Sequence, residues 1–274
     1  MTSKLIAMDL DGTAVDSRGS LCPEVKAALK AARDAGHVAA FVSGRSDTDM
    51  IPLEEDCRSV DFLILNNGAK VICAGDSRVL HNEPIDREGA VRLVDFCLER
   101  GQQVYVFSGR EWYASCRSKR LQSYADQLGC GPLYFERPDQ LPLDRIESLT
   151  VMGDTAPVCA FVKEGGFGLR AVVSEAECTD ILNQGTSKWG GIQKLLELLG
   201  MAPRDVIAVG DYENDLEMIS HAGIGVAMGN ALDSVKAIAD YVTVRDNDHG
   251  AVADVINQLV LGQAGGLCVK IGVS

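Results

Sequence analysis

No stretch of the 274-residue sequence approaches the roughly 18–20 consecutive apolar residues that a membrane span requires. Ahead of Asp9 only Leu5 to Met8 are consecutively apolar, far short of a leader's apolar core, so no leader and no membrane association are expected. The sequence has no Cys-x-x-Cys pair, and its nine cysteines (22, 57, 73, 97, 116, 130, 159, 178 and 268) are odd in number. That argues against a disulfide frame and a thiolate zinc site, and for reduced, mostly buried thiols in a cytoplasmic protein. Positive charge is also scarce, with 26 basic against 39 acidic residues and a net charge of −13. A nucleic-acid backbone needs a basic footprint, so no nucleic-acid partner is expected. A small phosphate ester stays open, because a metal and a few local cations can reverse the field inside one cleft. The four histidines, at 37, 81, 221 and 249, share no metal-ligand spacing.

What is present suits an ordinary globular enzyme: 46% hydrophobic and 24% charged residues, and enough length for one domain plus a sizeable insertion. The richest stretch is Leu5-Ile6-Ala7-Met8-Asp9-Leu10-Asp11-Gly12-Thr13. A short apolar run ending at Gly12 suits a buried strand of a parallel sheet. Open α/β sheets place their sites at the carboxyl ends of such strands. Asp9 and Asp11 alternate with Leu10, so both are expected on one side of the strand end. Two carboxylates this close need a cation or a shared proton between them, and the hard, oxygen-seeking Mg²⁺ fits.

Strand and helix alternate on both sides of a different middle. Strands are expected at Leu5–Asp9, Val38–Val42 and Phe62–Leu65, with a helix from Pro23 to Gly36 and a short one from Ser46. The C-terminal part reads helix Trp189–Leu199, strand Val206–Gly210, helix Glu213–His221, strands Ile224–Met228 and Tyr241–Val244, and helix Gly250–Leu261. This rhythm argues for βαβ units and a parallel sheet. Between them, Val104–Ser108 and Glu111–Ser115 read as a hairpin, Arg117–Leu128 as a helix, and Glu147–Met152 and Leu169–Ser174 as strands around a helix at Pro157–Glu164. The expected organisation is an α/β core formed by 1–83 and 184–274, with an α+β domain inserted at 84–183. The last residues, Gln263 to Ser274, read as a loose tail.

Ser43-Gly44-Arg45 follows a second strand, Lys188 precedes a helix, and Gly210-Asp211-Tyr212-Glu213-Asn214-Asp215 follows a third strand. In a parallel sheet these ends share one edge. The four motifs together resemble those of the haloacid dehalogenase superfamily. Asn66-Asn67-Gly68-Ala69, the long insertion and Asp246-Asn247-Asp248-His249-Gly250 resemble its Cof-type branch, which carries an α/β cap. The resemblance implies a Rossmann-like core and phosphoryl transfer through an aspartyl phosphate. It implies Asp9 as nucleophile, Asp11 as general acid and base, and Mg²⁺ held by Asp9, the Asp11 carbonyl, Asp211 and Asp215. It also implies that Ser43, Gly44, Lys188 and Asn214 bind the substrate phosphate. The implied activity is that of a Mg²⁺-dependent phosphatase of small phosphorylated metabolites, sugar phosphates first, and a carboxylate pair dividing acid and base work fits it.

Each residue alone also has an ordinary reading: Ser43 as a turn or capping hydroxyl, Lys188 as a solvated lysine, Asp211 and Asp215 as charges at a helix start. A mutase or phosphotransferase would use the same aspartyl phosphate with a sugar in place of water. A silent metabolite-binding homologue is disfavoured because Asp9, Asp11 and Lys188 are all present, and dehalogenation because it needs no acidic metal set. Gly223-Ile-Gly225-Val-Ala-Met-Gly229 resembles a dinucleotide loop, but its glycines bracket a strand and do not open a helix. Trp112 and Tyr113 read as hairpin packing, with Arg110, Arg117 and Arg45 as lesser candidates for substrate contact. The oligomeric state is not legible.

Overall fold

The computed structural model describes residues 3–175 and 177–263. In chain order the elements are β1 (Leu5–Met8), α1 (Pro23–Asp34), β2 (Val38–Val42), α2 (Glu54–Cys57), β3 (Phe62–Leu65), β4 (Lys70–Cys73) and β5 (Val79–Asn82). Then come α3 (Arg87–Glu99), β6 (Gln103–Ser108), β7 (Glu111–Ala114), α4 (Lys119–Leu128), β8 (Leu133–Tyr134), β9 (Ser148–Met152), α5 (Thr155–Gly165), β10 (Leu169–Glu175) and β11 (Cys178–Asn183). The chain closes with α6 (Lys188–Leu199), β12 (Val206–Gly210), α7 (Leu216–His221), β13 (Ile224–Ala227), α8 (Asp233–Ile238), β14 (Tyr241–Val242) and α9 (Ala251–Val255). The chain is α/β, and its described residues divide into two compact units, one drawn from 1–44, 53–81 and 187–274, the other from 45–52 and 82–186.

The first unit is built on an eight-stranded sheet ordered β14-β13-β12-β1-β2-β3-β4-β5. Its neighbours from β14 to β3 run parallel, and β4 returns antiparallel to β3. The central strands are short apolar runs buried on both faces: Leu5, Ile6, Ala7 and Met8 are each 0% exposed. Helix α1 starts with Pro23, whose missing N–H is no loss there, and buries Val25, Ala28, Leu29 and Ala32 at helical spacing. Helix α6 is capped at its start by Ser187, whose hydroxyl accepts from the Gly190 N–H, and closes on Gly200 in the left-handed conformation. The register sets Met8 beside Phe41 and Val209, so Asp9, Ser43 and Asp211 leave the sheet within one or two residues of a common level.

Two expectations change, and one packing role is explained. Strand β1 stops at Met8, and Leu10–Ala14 form a helical turn in which Gly12 takes φ +75°. The Ala14 N–H donates to the Asp9 carbonyl and the Val15 N–H to the Leu10 carbonyl, so strand alternation does not govern Asp9 and Asp11: Asp9 is buried and Asp11 exposed. No helix starts at Ser46, because its N–H and hydroxyl both donate to the Asp49 carboxylate and close a local turn; a 3-10 turn at Ile51–Leu53 then leads into the α-helix at Glu54. The glycines of 223–229 serve close packing. A Cβ on Gly223 would lie 2.3 Å from the Arg204 carbonyl oxygen, and one on Gly225 2.2 Å from that of Ile219. The tail read at 263–274 lies outside the described residues from 264 onward.

The second unit carries a six-stranded sheet ordered β10-β11-β9-β6-β7-β8, antiparallel except for the β7–β8 pair. Val104, Val106, Leu149 and Val151 point to the face covered by α3 and α5, and join Leu93, Val94, Cys97, Val158 and Val162 in one core. Tyr105, Phe107, Trp112 and Ala114 point the other way and pack with Leu121, Ala125 and Leu128 of α4. Trp112 and Tyr124 meet edge to face at 5.2 Å. Residues 45–52 belong to this unit: the Tyr124 hydroxyl donates to the Asp49 carboxylate, and Arg45 donates to the Asp49 carbonyl at 3.2 Å. Trp112 and Tyr113 are thus packing residues, Arg110 is exposed, and Arg117 stacks on Tyr134 at 3.9 Å.

Cys97, 0% exposed beneath α3, has its thiol pushed up to about 12 by burial. Its thiolate is therefore almost absent at pH 8. Peptide mapping after iodoacetamide at pH 8 is expected to find Cys97 unmodified in the native protein and modified after unfolding; native labelling would mean that α3 opens readily.

Candidate active site

The centre of the site is a buried cation between two carboxylates. Lys188, the first residue of α6, is 1% exposed, and its Nζ lies 2.6 Å from Asp9 Oδ1 and 2.6 Å from Asp215 Oδ1. Asp215 is 0% exposed; its second oxygen accepts from the backbone N–H groups of Asp211 (2.8 Å) and Tyr212 (3.0 Å). The turn after β12 thereby folds onto its own aspartate. Gly210 makes this possible, since a Cβ there would lie 2.5 Å from the Asp215 carboxyl carbon.

Asp211 joins from the same turn. One oxygen of each of Asp9, Asp211 and Asp215 lies within 4.8 Å of the others. Thr13 donates to Asp211 Oδ1 at 2.8 Å, and a Cβ on Gly12 would lie 2.4 Å from Asp211 Oδ2. The Asn230 amide donates to the Gly12 carbonyl at 2.8 Å and holds this turn from its far side. The Asp11 carboxylate is exposed and is not one of the three clustered carboxylates. The Asp246–Gly250 motif clamps the loop beyond: Asn247 donates to the Val15 carbonyl at 2.9 Å, and the Ser17 N–H to Asp248 at 2.6 Å.

The electrostatics follow from burial. Desolvation pushes the Asp9 carboxyl up, Lys188 pulls it back, and Asp215 pushes it up again. Asp211 is raised for the same first reason, with the Thr13 hydrogen bond opposing. Burial works against the Lys188 charge, but the fields of Asp9 and Asp215 outweigh it, so its pKa is raised and it stays an ammonium. With all three carboxylates ionised, the cluster and its ammonium would carry a formal charge of −2. Hard oxygens this close, with that charge, fit a divalent cation that prefers carboxylate and carbonyl ligands.

The phosphate-binding candidates stand beside this cluster. Ser43 follows β2 and is 1% exposed, its N–H donating to the Ile64 carbonyl at 2.8 Å. Asn214, next to Asp215, donates through Nδ2 to Asn67 Oδ1 at 3.0 Å, and the Asn67 side chain also lies against Gly44. Thr13, Asn67 and Asn230 were not singled out as site residues from sequence. Thr13 and Asn67 sit inside recognisable motifs, whereas Asn230 carries no local signal.

Removing the buried cation leaves two buried carboxylates uncompensated. Lys188→Met in chelator is expected to lose about 3–5 kcal/mol in urea denaturation. Asp9→Asn in the same protein is expected to restore part of that loss. A single variant as stable as the wild type would contradict the ion-pair account.

Comparison with known proteins identifies the family. A family model described as haloacid dehalogenase-like hydrolase matches residues 6–256. The pyridoxal phosphate phosphatase YbhA of Escherichia coli is 29% identical over 276 residues, covering 93% of this chain and 98% of its own. The 5-amino-6-(5-phospho-D-ribitylamino)uracil phosphatase YwtE of Bacillus subtilis is 27% identical over 288 residues, covering 95% and 99%. A solved haloacid dehalogenase-like hydrolase from Bacteroides thetaiotaomicron superposes with a TM-score of 0.84 at 27% identity, covering 94% of this chain and 100% of that one. The chain therefore belongs to the haloacid dehalogenase-like hydrolases, in their Cof-type branch, and is an enzyme of the phosphatase type.

Proposed function

We propose that the chain is a Mg²⁺-dependent phosphatase of small phosphorylated metabolites, working through an aspartyl phosphate, an acyl phosphate formed on Asp9. The observation that carries this reading is the buried Lys188 held between Asp9 and Asp215, with Asp211 beside them. A carboxylate attacks phosphorus only where the phosphate's own charge is neutralised. Asp9, the Asp11 backbone carbonyl, Asp211 and Asp215 would hold Mg²⁺, which when bound supplies that neutralisation and fixes a phosphoryl oxygen.

An Asp9 carboxylate oxygen forms the new bond to phosphorus as the bond to the leaving alcohol breaks. Asp11, two residues on and exposed, gives its proton to the departing oxygen. Asp11 then takes a proton from water, whose oxygen attacks the phosphorus and releases Asp9 and inorganic phosphate. Lys188 screens the attacking carboxylate from Asp215 and holds it in one rotamer. Ser43, the Gly44 N–H and Asn214 donate to the phosphoryl oxygens.

Relatives named for pyridoxal phosphate and for a phosphoribityl compound favour small metabolites, and sugar phosphates are the first set to test. The inserted α+β unit is expected to decide which leaving group is accepted. The net charge of −13 speaks against nucleic acid. Among the described residues no helix is long and apolar enough to cross a membrane. Free cysteines, mostly buried or half-buried, suit a cytoplasmic setting.

Phosphate release from a panel of sugar, polyol, nucleotide and cofactor phosphates tests the reading. Release is expected with Mg²⁺ and to stop with chelator. Asp9→Asn is expected to lower kcat by about 10³-fold or more while the fold persists. Wild-type rates in that variant would sink the mechanism, and an isomerised phosphosugar without free phosphate would identify a mutase.

A further inference from the structure

The turn at Asn66–Gly68 touches three of the loops that carry the site. Asn66 and Asn67 both take positive φ, 51° and 50°, a region that asparagine enters more readily than other side chains. The Asn67 N–H donates to the Ser43 carbonyl at 3.0 Å, and its Nδ2 stands 3.1 Å from where a Gly44 Cβ would be. Asn67 Oδ1 accepts from Asn214 at 3.0 Å. A Cβ on Gly68 would lie 1.9 Å from the carbonyl oxygen of Ser187, the cap of the helix that begins with Lys188. One turn thus spaces the Ser43–Gly44 loop, the Asn214 turn and the start of α6.

A side-chain amide can turn over and offer either its oxygen or its NH₂ to a neighbour. Asn214 donates to an acceptor, so its NH₂ end is fixed next to Asn67. Of the two Nδ2 hydrogens one is committed to Asn67, and the other is available to a phosphoryl oxygen. Turned over, Asn214 would set its carbonyl against Asn67 Oδ1 and against the phosphate, and both contacts repel. Asn67 is also buried, 9% exposed, so water competes poorly for this bond.

We propose that Asn67 is a positioning residue for phosphoryl transfer: its side-chain oxygen holds Asn214 with the NH₂ toward the phosphoryl group, and its amide seats the Gly44 loop. The inference rests on the proposed phosphatase reading. Asn67 does not itself touch the reacting atoms. Its effect passes through Asn214, which separates it from a residue that only shapes the β3–β4 turn.

The experiment is a double-mutant cycle on p-nitrophenyl phosphate hydrolysis, with the inhibition constant of inorganic phosphate as second readout. Asn67→Gly keeps the positive φ and removes the side chain. It is expected to lower kcat/KM and weaken phosphate inhibition by about tenfold, less than outright loss of an oxyanion donor, which costs about 10²–10³. In an Asn214→Ala background the same change is expected to cost less than about threefold, because the group it orients is gone. Asn67→Asp keeps the acceptor oxygen, so Asn214→Ala is expected to keep its full cost there. The proposal is overturned if Asn67→Gly is silent, or costs the same factor with and without Asn214. Should Asn67→Gly not fold, Asn67→Ser, too short to reach Asn214, enters the same cycle with the same criteria. Wild type with Mg²⁺ and Asp9→Asn run alongside: an active Asp9→Asn rejects the underlying mechanism, whereas an inactive one with no Asn67–Asn214 coupling rejects this inference alone.

Discussion

The structure is organised around one ammonium buried between two carboxylates. Lys188 is the first residue of a helix, Asp9 follows the central strand, and Asp215 closes the turn after the adjacent strand. Any of the three charges alone at that depth would cost several kcal/mol to desolvate. Together, with two backbone N–H groups on Asp215 and a hydroxyl on Asp211, they satisfy one another. The parallel register supplies the strand ends, and the Ser187 cap determines where the lysine's helix begins. Both are ordinary features of an α/β sheet, and the ion pair makes their mutual position matter.

The same demand explains where the first unit uses its glycines. Gly12 faces Asp211, Gly210 faces Asp215, and Gly191 in α6 faces Ile64 and Gly68 with a Cβ position only 2.5 Å and 2.8 Å from them. A carboxylate at Gly12 and Gly210, and the Ile64 methyl with the Gly68 backbone at Gly191, occupy the space a side chain would take. The loops approach each other by main chain, so the polar side chains that reach the centre are short: aspartate, asparagine, serine and threonine. Lys188 is the exception, and it reaches the centre from a helix start.

Much of this was legible in the sequence. Val38–Val42, Phe62–Leu65 and Val206–Gly210 are strands with the expected bounds, because each is a continuous apolar run stopped by a polar or glycine turn. Asp9, Lys188, Asp211 and Asp215 meet as one cluster, as motifs at strand ends and a helix start would suggest. Helix α3 was missed although its signal is present: Ala90, Leu93, Val94 and Cys97 recur at helical spacing behind the Asp86 cap. Strand β11 was missed for a better reason, since Cys-Thr-Asp-Ile-Leu-Asn mixes polar and apolar residues and becomes a strand only between β9 and β10. The roles of Asn67 and Asn230 were not legible at all. Each depends on a partner more than a hundred positions away, Asn214 for one and Gly12 for the other, and local pattern carries no trace of such a contact.

Residues 45–52 pack with the inserted unit although they lie in the first part of the sequence. The chain consequently passes between the two units at four places, after residues 44, 52, 81 and 186, where a simple insertion would need two. The inserted unit is therefore not a cassette with one entrance and one exit. A chimera that transplanted 82–186 alone would leave the Asp49 partner of Tyr124 behind in the donor. Exchange of the inserted unit between relatives, by engineering or by descent, has to carry two separate pieces of chain, and the shorter one begins immediately after Ser43 and Gly44.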